Sequence, residues 1–175
     1  MAALDKTLGD WLDTFEVEAF RLETLDDYSQ SGGVEAYQAF LAGEIQPESF
    51  RTAAWVKTVG DAVQAGRRMY RVHVLSRPLT SYLRFELGWG YRRNALAGEE
   101  FFILDTTSRE TPVPGVPDFW MFDNQVVGAM SYDAHGAFLG VDFDASERVE
   151  EFVAWRDTAL AHAEPFANWW ARHGD

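Results

Sequence analysis

Between residues 67 and 143 the apolar pattern has the period of a strand, then of a helix, then of a strand again, and then of three short strands joined by tight turns. That order constrains the fold more than any other feature of the chain. Met69, Val72, Val74 and Leu75 sit among β-favouring neighbours and predict a strand, and Pro78 opens a helix carrying Leu79, Tyr82 and Leu83. Phe101 to Leu104 is a continuous apolar run, which suits a strand covered on both faces. Strand, helix, strand implies one parallel crossover. After a loop from Thr106 to Pro117 that holds three of the six prolines, residues 118–123, 125–132 and 137–143 read as strands. Asp123-Asn124 and Asp133 to Gly136 supply the turns, because Asn, Asp and Gly tolerate positive φ. The expected fold is α+β (α/β-like): a single domain over 1–175, a mixed sheet with a central strand-helix-strand crossover, a C-terminal three-stranded antiparallel meander and a closing amphipathic helix.

The closing helix follows from Val149, Phe152, Val153, Leu160 and Ala163, with Asp144 as N-cap and Glu147 three residues on. Pro165 breaks it and leaves residues 166–175 as a short aromatic tail with Phe166, Trp169 and Trp170. Upstream, Val34, Tyr37, Phe40 and Leu41 have helical spacing, as do Trp55, Val59, Ala62 and Val63 in a helix from about Glu48 to Ala65. Residues 1–13 are expected to form a loose N-terminal helix.

Composition removes several function classes. The net charge of −13 repels nucleic acid and anionic membrane at long range, so no direct nucleic-acid partner is expected. The 47% hydrophobic content supplies a core and excludes a disordered acidic tail. Without cysteine there is no disulfide framework, thiolate metal site or cysteine nucleophile. The start of the chain lacks a basic, apolar leader, and no window approaches the roughly 18 apolar residues of a membrane span, so a cytoplasmic location is expected.

The charge is segregated. From Arg67 to Arg93 seven arginines face one acid, Glu86, so this segment is +6 and the remainder of the chain −19. Thirteen of the fifteen basic residues are arginine, whose planar fork suits carboxylate and phosphate. The functional reading is a site for an anion or an acidic protein surface; the bland one is that these arginines pair with the chain's own surplus acids. Arg71 and His73 alternate onto one strand face, and with Glu99 they could form an acid/base site or a satisfied structural network. On the helix after Pro78, Leu83 and Glu86 share a face while Arg84 points elsewhere. Phe119, Trp120 and Phe122 read as packing residues that could also line a ligand pocket.

No established chemistry is spelled out. His73, His135, His162 and His173 are scattered without a second ligand type at metal spacing, so no metal and no cofactor is expected. Gly88-Trp-Gly90 lacks the lysine and hydroxyl of a phosphate loop, and there is no Gly-x-Ser-x-Gly elbow.

Phe20 to Glu23, Arg71 to Val74, Pro78 to Glu86, Ala97 to Glu99, Asp118 to Asp123 and Met130 to Asp133 together resemble an uncharacterised actinobacterial family, typical of streptomycetes, known as a domain of unknown function. The resemblance implies a cytoplasmic protein in a regulatory neighbourhood, since members are commonly encoded beside small helix-turn-helix regulators. The order of elements is also similar to one half of the phospholipase D fold, without its His-x-Lys pair, because Leu75 follows His73-Val74.

Three functions are carried forward. The first is a non-enzymatic regulatory or interaction protein that binds a helix-turn-helix transcription regulator or a small anionic ligand through the arginine-rich segment. Its site residues would be Arg21, Arg71, His73, Tyr82, Arg84, Glu86, Glu99, Trp120 and Asp123. The second is a small enzyme acting on a phosphate- or carboxylate-bearing molecule, with His73 or Glu99 moving a proton. The third is an acidic mimic of nucleic acid that occupies a basic partner. The oligomeric state is not legible.

Overall fold

The computed structural model describes residues 6–174. Strands β1 (Glu18–Glu23), β2 (Arg68–Leu75), β3 (Glu100–Asp105), β4 (Phe119–Phe122), β5 (Val126–Tyr132), β6 (Phe138–Asp142) and β7 (Glu164–Pro165) form one mixed sheet in the order β6-β5-β4-β1-β2-β3-β7. The single-domain α+β architecture, the mixed sheet and the antiparallel β4-β5-β6 meander are as the sequence predicts. The number of crossovers is not. β1 lies parallel to β2, which lies parallel to β3, so the sheet contains two parallel crossovers, and β1 is its central strand.

The helices are α1 (Leu8–Thr14), α2 (Val34–Leu41), α3 (Glu48–Arg51), α4 (Ala54–Gln64), α5 (Ser81–Phe85), α6 (Arg92–Ala97), α7 (Val149–His162) and α8 (Phe166–His173), with a π-helical turn, Glu86–Tyr91, joining α5 to α6. No helix among the described residues is long and apolar enough to cross a membrane.

Several boundaries differ from expectation for local reasons. Of the N-terminal helix expected over 1–13, residues 1–5 lie outside the described residues; α1 begins after a capping box in which Thr7 and Asp10 satisfy each other's backbone N–H. The helix expected from Glu48 to Ala65 is two helices, broken at Thr52 and Ala53, where the Ala53 backbone turns extended. Pro78 does not open α5; Thr80 does, its hydroxyl accepting from the Leu83 N–H at 3.1 Å. Asp144 and Glu147 fall within a 3-10 turn, Asp144–Arg148, and α7 starts only at Val149. The aromatic tail is α8: Pro165 stands just before its first residue, where a missing N–H costs nothing, and Phe166 and Trp169 are buried.

The alternation of β1 and β2 sorts two layers. Phe20, Leu22, Tyr70 and Val72 face α7, whose Phe152 packs edge-on against Phe119 at 4.8 Å. Burying one such large apolar side chain contributes about 1.5–3 kcal/mol. On the other face Ala19 and Met69 meet α1 and α4, while Leu75, Phe101 and Ile103 meet Leu83, Leu87, Phe166 and Trp169. Between these two apolar patches lies a band of charge.

Asp123, expected as a site residue, closes the β4-β5 turn instead. It adopts φ +53°, and its carboxylate accepts from the backbone N–H groups of Glu16, Val17 and Glu18 at 2.8, 2.8 and 2.9 Å, fixing the entry of the central strand. Asp123→Ala is expected to cost about 1–3 kcal/mol in urea unfolding, through the lost charged hydrogen bonds and a strained left-handed backbone. Asp123→Asn, which tolerates that conformation, should lose less; equal losses would discount the backbone part of this account.

Candidate functional site

The band of charge comes from three neighbouring strands. Register sets Arg21 beside Arg71 and Trp120, and Glu23 beside His73, all on the face away from α7. Glu99 and Asp118 enter from the residues just before β3 and β4. Gly98 ends α6 at φ +107°, where a Cβ would meet Val63 at 2.9 Å, and this tight turn delivers Glu99 inward.

Arg21 and Arg71 are each clamped by acids. The Arg21 guanidinium donates to Asp118 at 3.1 Å and to the Tyr132 hydroxyl at 2.8 Å. Asp118 also accepts from the Thr24 N–H and hydroxyl and from Tyr28. Arg71 donates to Glu23 and to Glu99, and Glu99 accepts from the Trp55 indole at 3.1 Å. Burial alone would raise the Glu23 pKa, yet Arg71, His73 and Arg21 hold it down at about 2. Burial works against the charge on Arg71 too, and Glu99 and Glu23 more than offset it, so its pKa is raised.

His73 is fully buried. Its Nε2 lies 2.9 Å from the Leu25 carbonyl oxygen, which can only accept, so Nε2 carries a proton. In the neutral ring that leaves Nδ1 as an acceptor, 2.9 Å from the Tyr91 hydroxyl, 3.5 Å from Glu23 Oε2 and 3.8 Å from Glu86 Oε2. Glu86 and Tyr91 are the first and last residues of the π-helical turn. Its i→i+5 pattern brings residues five apart onto one side, so both reach His73, as an α-helix would not arrange. Burial, then repulsion from Glu23, pushes the Glu86 carboxyl well above the usual range against the pull of Arg71.

Several other arginines of the Arg67–Arg93 segment are held by the chain's own groups. Arg68 binds Glu100, Arg77 binds Asp105, and Arg67 donates to the carbonyls of Asp13 and Phe15. Arg71, His73 and Glu99 do converge on one cluster, through Glu23 and Arg71; of the expected residues, Arg21, Arg71, Glu86 and Trp120 line a cavity of about 310 Å³ with Glu23, while His73 and Glu99 lie buried behind it. Tyr82 lines an adjoining cavity of about 250 Å³. Arg84 does not join them; it borders a separate hollow with Arg92, Trp170 and His173. Within the cluster two polar atoms, Arg21 Nη1 and Glu86 Oε2, are buried without a hydrogen-bond partner.

Sequence reading missed a second place, outside this cluster. A groove of about 500 Å³ is lined by Arg51, Arg92 and Arg93 with Val56, Trp89, Leu96 and Ala97, and by no acidic residue. Leu96 is 92% exposed. The Arg93 guanidinium stacks on Phe50 at 3.9 Å and donates to the Phe50 carbonyl, while Arg51 and Arg92 make no ion pair among the described residues. The available signal was the pair Arg92-Arg93 with Leu96 on one short helix, but Arg51 comes from a separate element.

A family model described as "Domain of unknown function (DUF6879)" matches residues 6–171. Neither a curated protein nor a solved structure matches the chain.

Proposed function

We propose that this chain, which belongs to the DUF6879 family of unknown function, is a binding protein whose groove under Arg51, Arg92 and Arg93 takes an anionic ligand with an apolar body. The observation that carries this reading is a groove with three guanidiniums and no carboxylate in a protein of net charge −13. The inner cluster is a poorer anion site, because there two guanidiniums meet four carboxyl groups. Arginine forks match carboxylate or phosphate, and Trp89, Val56 and Leu96 offer apolar contact.

The finer parts of this reading are an actinobacterial membership, a cytoplasmic location and a regulatory setting. The exposed Leu96 on the groove's rim favours a second form of the same reading, in which the anion is an acidic, apolar segment of a helix-turn-helix regulator. The likeness to half a phospholipase D fold belongs here too, as a binding descendant.

The test uses phenyl phosphate, benzoate and inorganic phosphate as probes, with thermal unfolding as the readout. At a hundred times its Kd a bound probe adds about 2.7 kcal/mol, which for a chain of this size raises Tm by roughly 5–10 °C. Arg51 and Arg92 make no ion pair among the described residues, so Arg51→Ala/Arg92→Ala should leave basal stability within about 0.5 kcal/mol and abolish the rise. Equal rises in the two proteins, or none in the wild type, would remove the proposal.

A further inference from the structure

The inner cluster holds an arrangement that neither the family description nor the groove explains. We propose that Glu23, His73 and Glu86 form a site for one divalent first-row transition ion, of the zinc or manganese class, opening on the cavity beside Arg21. This proposal stands on different residues from the groove and does not depend on it.

Three observations converge. The first is donor geometry: one oxygen of each carboxyl group and Nδ1 of His73 all lie within 4.8 Å of one another, with Nδ1 at 3.5 Å from Glu23 and 3.8 Å from Glu86. Ligands about 2.0–2.2 Å from a tetrahedral ion stand roughly 3.3–3.6 Å apart, so the two His73 distances already lie near that spacing, and the Glu23 and Glu86 oxygens, within 4.8 Å of each other, must approach by up to roughly an ångström to close the set. The second is orientation. Metal-bound histidines typically donate the other ring N–H to a carbonyl or carboxylate, which fixes the lone pair on the ion. His73 already does so, with Nε2–H on the Leu25 carbonyl; Nδ1 lies within 3.8 Å of both carboxyl groups and accepts from the Tyr91 hydroxyl at 2.9 Å, a donor that an ion would displace. Glu23 is likewise anchored, since Arg71 holds Oε1 and leaves Oε2 on the His73 side.

The third is an unmet demand. Glu86 Oε2 is buried with no partner, although a buried carboxyl oxygen left unpaired costs about 1–3 kcal/mol. Charge points the same way: Arg21 and Arg71 face Glu23, Glu86, Glu99 and Asp118, so with every group ionised the cluster carries an excess of two negative charges, which a divalent cation cancels. Two carboxylates and one imidazole suit zinc and manganese, and three protein ligands leave a position open towards the cavity that Glu23 and Glu86 line. Sequence spacing could not disclose the set, because its members come from β1, β2 and the π-helical turn.

The experiment takes the full chain, dialysed against chelator, and titrates it with Zn2+ and separately with Mn2+ by calorimetry, with metal analysis after gel filtration. A single equivalent is expected to bind. Glu86→Gln should weaken it at least about tenfold, the low end of what loss of an outer partner alone costs, while Glu100→Gln, which changes an exposed carboxylate of β3, should bind as the wild type does. Imidazole-tuned nitrogen spectra of the wild type give an answer that no variant's folding can obscure. Zn2+ must move the Nδ1 signal of His73 and leave His135, His162 and His173 in place. Uniform shifts of all four, retention of well under one equivalent, or a folded Glu86→Gln protein with wild-type affinity would each overturn the site.

Discussion

Replacing Arg71 with methionine is expected to lower the unfolding free energy by about 3–5 kcal/mol. The guanidinium is 11% exposed and pairs with both Glu23 and Glu99, which are 3% and 1% exposed. Removing it strands two carboxylates in a low-dielectric interior, and that stranding, more than the loss of an attraction, sets the magnitude. Paired buried charges contribute little net stability, because desolvation consumes most of the Coulomb gain. Arg71→Met combined with Glu23→Leu and Glu99→Leu should therefore recover most of the loss. Chemical denaturation followed by circular dichroism measures both. A single variant losing under about 1 kcal/mol, or a triple variant as damaged as the single, contradicts this account.

The second large effect belongs to the C-terminus. Trp169→Ala is expected to cost about 3–5 kcal/mol, a value for a core residue and not for a tail. Trp169 is fully buried among Leu83, Leu87 and Phe166, and its indole donates to Asp105 at 2.9 Å. Asp105 in turn receives Arg77 and Thr107, so α8 and the end of β3 share one polar knot. Truncation leaves a large cavity and removes a donor from that carboxylate. Trp170→Ala, whose ring is only partly buried, should lose clearly less. Similar losses at the two positions would show that α8 as a whole, and not its inner face, carries the stability.

What the sequence made legible was whatever rests on local signals. β2, β3 and the meander follow from β-favouring runs bounded by proline, glycine and Asp-Asn turns, and they stand where those signals put them. β1 escaped because its alternation sets Arg21 and Glu23 against Phe20 and Leu22, the pattern of a strand with one wet face, whereas both faces are buried. Ion pairs with Asp118 and Arg71, both distant in sequence, make that burial tolerable. The helix α8 is hidden in the sequence because a proline after a helical run signals an end, whereas Pro165 also stands at the start of the next helix. Same-face placement of Arg71 and His73 was legible from period-2 geometry, but the arrival of Glu86 and Tyr91 beside them depends on a π-helical turn that no propensity announces.

The position of β1 also dictates when the molecule can become itself. Its two neighbours are β2, through Glu18 opposite Arg68, and β4, through Ala19 opposite Phe122, so the middle of the sheet is assembled from segments far apart along the chain. Loop closure over such spans must precede any reward from pairing, which slows folding relative to a protein of local contacts. During synthesis β1 leaves the ribosome before β2 and β4, with a cationic and an anionic side chain destined for burial and neither Arg71 nor Asp118 yet made to receive them. A segment in that state is expected to stay solvated until its partners are made, and the acidic residues around it, Glu16, Glu18, Asp26 and Asp27, favour that.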